Sequence, residues 1–95
     1  MWQVYEVAMV ADKILAAVRK YDERLKHYEA ERLPSAVYQP TRKAALGHAR
    51  WMCQEVQTFV ANGLLEKAER WIGFIQGVLW AAGEGTIDEF REDNR

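Results

Sequence analysis

Between Trp2 and Leu33 the chain has no glycine and no proline, and its apolar residues fall at Val4, Val7, Ala11, Ile14, Val18, Tyr21, Leu25 and Tyr28. The steps alternate between three and four residues. That is the seam of an amphipathic helix lying along another helix; a strand would alternate by two. Lys13, Arg19, Lys20, Glu23, Arg24 and Glu31 occupy the other faces. Pro34 disfavours helical geometry in the residue before it. The pattern therefore predicts one long helix over 2–33. The segment 34–41, "PSAVYQPT", is bracketed by two prolines and is expected to be an extended, stiff connector.

Leu46, Ala49, Cys53, Val56 and Val60 repeat the helical spacing, widened by Met52 and Phe59, and predict a second helix over 42–61. Thr41 is placed to cap its start, because a threonine oxygen can accept one of the free N–H groups there. Asn62-Gly63 closes it, since glycine enters the left-handed region without steric cost. A third helix over 64–82 follows, with Leu65, Ala68, Ile72, Ile75, Leu79 and Ala82 as its core stripe. Gly83-Glu84-Gly85 breaks it. "TIDE", from Thr86 to Glu89, has the form of a capping box and predicts a short helix over 87–92, with "REDNR" as a frayed tail. The expected fold is all-α and single-domain: a three-helix antiparallel arrangement, made of the long N-terminal helix and a helical hairpin, with a short C-terminal helix.

The third helix is apolar on both sides. Gly73, Gly77 and Trp80 lie opposite the core stripe, with Phe74 and Ala81 beside them and Gln76 at the margin. A water-facing side would carry charge. Glycines at a helix interior cost about 1 kcal/mol each relative to alanine, and a ridge without side chains lets another backbone or a flat ring approach closely. Either the first helix lies over this ridge within one subunit, or a second subunit does. The second reading is preferred, because the first helix already has its own seam and large rings are enriched at interface cores. Gly73, Phe74, Gly77, Trp80 and Ala81 are thus the expected interface of a homo-oligomer.

Thirteen basic and fourteen acidic residues give a formal net charge of −1. Proteins that coat nucleic acid carry an excess of Lys and Arg, so nucleic-acid binding is not expected beyond a weak single-stranded mode. The single cysteine, Cys53, cannot form an intramolecular disulfide, and no signal-peptide pattern opens the sequence. The longest apolar run, Trp71 to Ala82, is short of the ~20 residues of a membrane span. A soluble cytoplasmic protein with no membrane partner is the expectation.

Candidate binding groups are few. Gln76 places a primary amide inside an apolar run, to bond either a neighbouring helix or a ligand. Arg42, Lys43, His48 and Arg50 crowd the start of the second helix, where cations oppose the helix dipole unless they meet anions. They read either as a solvated basic face or as a phosphate site. In "LEKAERW", Glu66, Lys67, Glu69 and Arg70 alternate in sign as an exposed ion-paired face does, and Arg70, beside Trp71, could instead stack on a ring; Trp80 is a further candidate for ligand binding. His48 and Cys53 do not share a helical line and His27 stands alone, so no metal site is expected. There is no P-loop and no Ser/His/Asp set, so neither catalysis nor a cofactor is expected.

"WMC" (Trp51 to Cys53), "EKAERWIGFIQGVLW" (Glu66 to Trp80) and "TIDEFREDNR" (Thr86 to Arg95) together resemble a recurrent family of small tailed-bacteriophage proteins of unassigned function, over residues 48–95. The resemblance implies a viral accessory protein acting in the cytoplasm of the infected host. Small phage proteins without enzymatic motifs commonly block a host factor or sequester a signalling nucleotide of host immunity. An oligomer with rings, cations and amides at its junctions suits the second task, counter-defence by nucleotide sequestration. Inhibition of a host or phage protein is the alternative.

Overall fold

The computed structural model describes residues 4–95, with side chains from Val10 onward. Trp2, Gln3 and the seam side chains of Val4 and Val7 lie outside the described residues. Four helices and no strand occur among the rest: α1 (Val4–Arg24), α2 (Arg42–Ala61), α3 (Leu65–Ala81) and α4 (Ile87–Asp93). One core joins them. Ile14, Val18, Tyr21 and Leu25 meet Leu46, Ala49, Cys53 and Val56, and both sets meet Ala68, Ile72, Ile75 and Leu79. These are the seam positions of the sequence, because burying them removes the apolar stripe of each helix from water.

The first helix stops at Arg24, not at 33. Its seam still reaches the core at Leu25, which is fully buried, but the backbone has left the helix. The cause lies on α2. The Arg50 guanidinium donates from Nη1 to the carbonyl oxygens of Tyr28 (2.8 Å) and Lys26 (3.2 Å), and from Nε to Asp22 (3.0 Å). Carbonyls that would otherwise need helical partners are thereby satisfied by a side chain. The strap that follows lies directly against α2: Glu31 N–H donates to the Gly47 carbonyl (3.2 Å), and Leu33 N–H donates to His48 Nδ1 (3.0 Å). A Cβ on Gly47 would stand 2.6 Å from the carbonyl oxygen of Glu29, so only glycine admits this approach. The non-helical segment therefore spans 25–41 rather than 34–41.

The helix ends of the second half follow local chemistry. Thr41 Oγ1 accepts from Ala44 N–H (3.1 Å), and Thr86 Oγ1 accepts from Glu89 N–H (3.1 Å). Gly63 (φ 75°) and Gly83 (φ 78°) hold the left-handed position after α2 and α3. Leu64 N–H donates to Phe59 O and Glu84 N–H to Leu79 O (both 2.8 Å), the six-to-one bond of a Schellman closure.

The C-terminal segment is not a frayed tail. Glu89 does not complete a capping box; its carboxylate goes to Arg24 and Lys20. The Arg24 hydrogen bond is the main reason its carboxyl is held down at about 2. Asp93 accepts from Lys20 (2.7 Å) and from the Tyr21 hydroxyl (2.5 Å). Phe90 is buried edge-on to Tyr21, with ring centroids 5.8 Å apart. So α4 is clamped to the end of α1 by one ring and three ion pairs, Lys20–Glu89, Lys20–Asp93 and Arg24–Glu89.

Candidate binding face

The outer side of α3 is open. A Cβ on Gly73 or Gly77 would meet nothing within 4 Å among the described residues. Phe74 is 58% exposed, Trp80 57%, and Ile87 of α4 53%. Among the described residues, the first helix does not lie over the ridge. A groove of about 430 Å³ separates Lys13, Ile14 and Ala17 of α1 from Gly73. Among the described residues, α1 packs on the core stripe of α3 and leaves Gly73 at the edge of this groove.

Beside the ridge, the missing side chain of Gly77 leaves a hollow of about 310 Å³. Its walls are Trp80, Ile87, Phe90 and Arg91, with Gln76 and Asn94 at the margin. The face thus combines two exposed rings with a shallow depression, and its charged neighbours are Glu69 and Arg70 towards the start of α3 and Arg91 of α4. Neither arginine forms an ion pair with a described residue. Ala81, the last residue of the ridge, is exposed as well.

The other candidate residues are placed differently. Gln76 is 6% exposed and fully occupied within the subunit. Its amide nitrogen donates to the Tyr21 hydroxyl and to Asn94 Oδ1 (both 2.9 Å), and its oxygen accepts from Asn94 Nδ2 (3.0 Å). Arg42 leaves the helix start to bind Ala82 O (2.9 Å), the Tyr28 hydroxyl (2.9 Å) and Glu84, which ties α2 to the end of α3. Arg50 is the clasp of the strap described above. Lys43 is exposed. The structure does not bring Arg42, Lys43, His48 and Arg50 to one point, and it places Arg70 and Trp80 on the α3 face.

Sequence reasoning missed a ladder of rings across the α2–α3 hairpin. His48 and Trp51 are 5.3 Å apart between centroids, Trp51 and Trp71 5.6 Å, and Trp71 and Phe59 4.8 Å. Lys67 sits over Phe59 at one end (4.5 Å), and Arg32 over Trp51, the ring next to His48 (5.4 Å). The signal was present in the tryptophans and Phe59, which flank the core stripes of α2 and α3. At the ladder's His48 end, the strap closes a crevice of about 240 Å³ walled by Leu33, Pro34, Val37, Phe74 and Val78. Burial, and then the charge of Arg32, lower the His48 pKa, so it is neutral at physiological pH. Its Nδ1 accepts from Leu33 N–H, so its proton sits on Nε2.

Cys53 is buried and desolvation pushes its thiol up to about 12, so it stays protonated at neutral pH. Among the described residues, no three His, Cys, Asp or Glu side chains are grouped to hold a metal ion. No helix among them is long and apolar enough to cross a membrane. Against known proteins, the chain matches no family model, no curated protein and no solved structure, and the character of the α3 face is read from its own residues.

Proposed function

We propose that this chain is a non-enzymatic phage accessory protein of the counter-defence type. In this reading its three long helices form an antiparallel arrangement, and it assembles as a homo-oligomer in the host cytoplasm. The oligomer sequesters a nucleotide-type signalling molecule of host immunity at the junctions between copies. The observation that supports this is the outer face of α3, where the rings of Phe74 and Trp80 are exposed, Arg91 lines the hollow beside Trp80, and Arg70 stands one turn before Phe74 on the helix. Aromatic faces stack on bases, and guanidinium groups pair with phosphates in two-point hydrogen bonds. Among the described residues neither guanidinium is held in an ion pair, in contrast to those of Arg42 and Arg50.

The test is thermal melting of the intact protein against a panel of cyclic and adenine-based nucleotides. A ligand that binds only the native state, at a hundredfold excess over its Kd, adds about 2.7 kcal/mol. For a chain of this size that raises the melting temperature by on the order of 10 °C. A panel in which no nucleotide moves the transition overturns the sequestration reading.

A second reading, inhibition of a host or phage protein, is favoured by one specific feature. The hollow beside Gly77 is walled mainly by Trp80, Ile87 and Phe90, the apolar surroundings that a protein side chain would seek.

A further inference from the structure

We propose that His48 is a pH switch for the strap: taking up a proton at Nδ1 breaks its bond to Leu33, and segment 33–40 then lifts from α2 and opens the crevice beneath it. The switch needs neither a nucleotide nor a second copy. It follows from the direction of one hydrogen bond. Leu33 N–H donates to His48 Nδ1 (3.0 Å), so the imidazole holds the strap only while that nitrogen keeps its lone pair. A proton from solvent occupies the lone pair and turns the acceptor into a donor. Two N–H groups then point at each other, and the Leu33 amide must find water instead.

The groups around the ring favour this outcome. Arg32, the residue before the anchor, lies over Trp51 (5.4 Å), and the Trp51 and His48 centroids are 5.3 Å apart. A charged imidazole therefore meets a cation on the strap itself, and like charges disfavour each other. Glu29 and Glu31 of the strap approach Gly47 with backbone atoms, and their side chains are exposed. On α2, Arg42 is paired with Glu84, Arg50 with Asp22 of α1, and Lys43 is exposed. From α3, Phe74 and Val78 line the crevice, and neither titrates. Among the described residues no carboxylate pairs with the imidazole. Burial and Arg32 hold the His48 pKa below its ordinary 6.5. The bond is thus whole above that value and is lost as the pH falls through the lowered one.

The strap is held at its start and free to leave beyond Leu33. The start is fixed by the Arg50 clasp and by the bond from Glu31 N–H to the Gly47 carbonyl, and neither contains a histidine. After Leu33 the next hydrogen bond is internal, from Val37 N–H to the Pro34 carbonyl (3.1 Å). Near the far end, Gln39 takes a left-handed φ of 52°, directly before Pro40. A side chain there is strained, and such strain persists only while the surroundings hold it. Release of Leu33 lets Gln39 relax. Lifting 33–40 carries Leu33, Pro34 and Val37 away from the crevice and leaves its α3 wall, Phe74 and Val78, open to water.

The experiment is NMR of the full chain and of His48→Asn at about pH 7.5 and about pH 5, either side of the imidazole range. Asparagine sets an uncharged carbonyl oxygen close to the Nδ1 position and does not titrate. The ring nitrogens report protonation. Hydrogen exchange at the Leu33 amide, corrected for the intrinsic effect of pH, reports the bond. Amide order parameters of Ser35 to Tyr38 report the lifting. At the lower pH the parent is expected to carry a protonated His48 and to lose Leu33 protection about tenfold, as the loss of one hydrogen bond predicts. Its strap order parameters are expected to fall below about 0.6, while Val56 and Ile75 in the core stay protected. His48→Asn is expected to keep its values at both pH values. A His48 still neutral at the lower pH overturns the switch. So does a protonated His48 with Leu33 protection or strap order unchanged, a core that loses protection together with Leu33, or an equal fall in His48→Asn. Should His48→Asn not fold, the parent's titration decides: Leu33 protection and the His48 ring must share one midpoint, and separate midpoints contradict the switch.

Discussion

Gly47→Ala is expected to destabilise the protein by about 2 kcal/mol in urea unfolding, the opposite sign from a glycine-to-alanine change on an unobstructed helix surface. Inside a helix that change normally gains about 1 kcal/mol, because alanine loses less backbone freedom on folding. At Gly47 the added Cβ stands 2.6 Å from the Glu29 carbonyl oxygen, a backbone atom that cannot rotate away. Either the strap lifts off α2 or the helix shifts. Lifting the strap also lengthens the bond from Glu31 N–H to the Gly47 carbonyl and the one from Leu33 N–H to His48. Gly47→Val enlarges the loss. A Gly47→Ala variant as stable as the parent would show that the strap does not lie where its carbonyl is placed.

Arg50→Ala is expected to cost about 3 kcal/mol, and Arg50→Lys most of that. One guanidinium meets three acceptors at once: Asp22 and the carbonyls of Lys26 and Tyr28. Its side chain is 25% exposed and Asp22 27%, so the ion pair is partly screened and contributes the smaller part. The larger part is the hydrogen bonding of two backbone carbonyls where α1 ends; hydrogen bonds to charged groups contribute about 1.5–3 kcal/mol. Lysine carries its charge at one point and lacks the planar fork, so it cannot span all three acceptors. Denaturant titration of both variants measures the loss, and full rescue by lysine would contradict the clasp.

These two residues also explain where reading the sequence fell short. The alternating seam correctly marked Ile14, Val18, Tyr21 and Leu25 for burial, because period and burial are linked within one helix. It did not reveal that the helix ends at Arg24. Gly and Pro are the local stop signals, and none lies there; the stop is delivered from α2 by Arg50 and Gly47, more than twenty positions away. Where the signal is local it was legible: Thr41 and Thr86 as caps, Gly63 and Gly83 as left-handed closures.

The candidate site divides along the same line. The need of Gln76 for partners could be inferred from a lone amide in an apolar run. Their identity could not, since Tyr21 is 55 positions away and Asn94 belongs to a segment that reads as a polar tail. Arg42 and Arg50 advertise positive charge in the sequence, and only the packed chain shows that charge consumed by carbonyls and carboxylates. The α3 face was legible as a conflict. Glycines and rings stand where a solvated helix carries charges, and no internal packing among the described residues resolves that conflict.

Sedimentation equilibrium of the unmodified protein, over a wide concentration range, tests most directly whether a second copy covers that face. The predicted result is a mass of twice 11.0 kDa, or a higher even multiple, that falls when Phe74 is replaced by a charged residue. A species of 11.0 kDa at every concentration would contradict it.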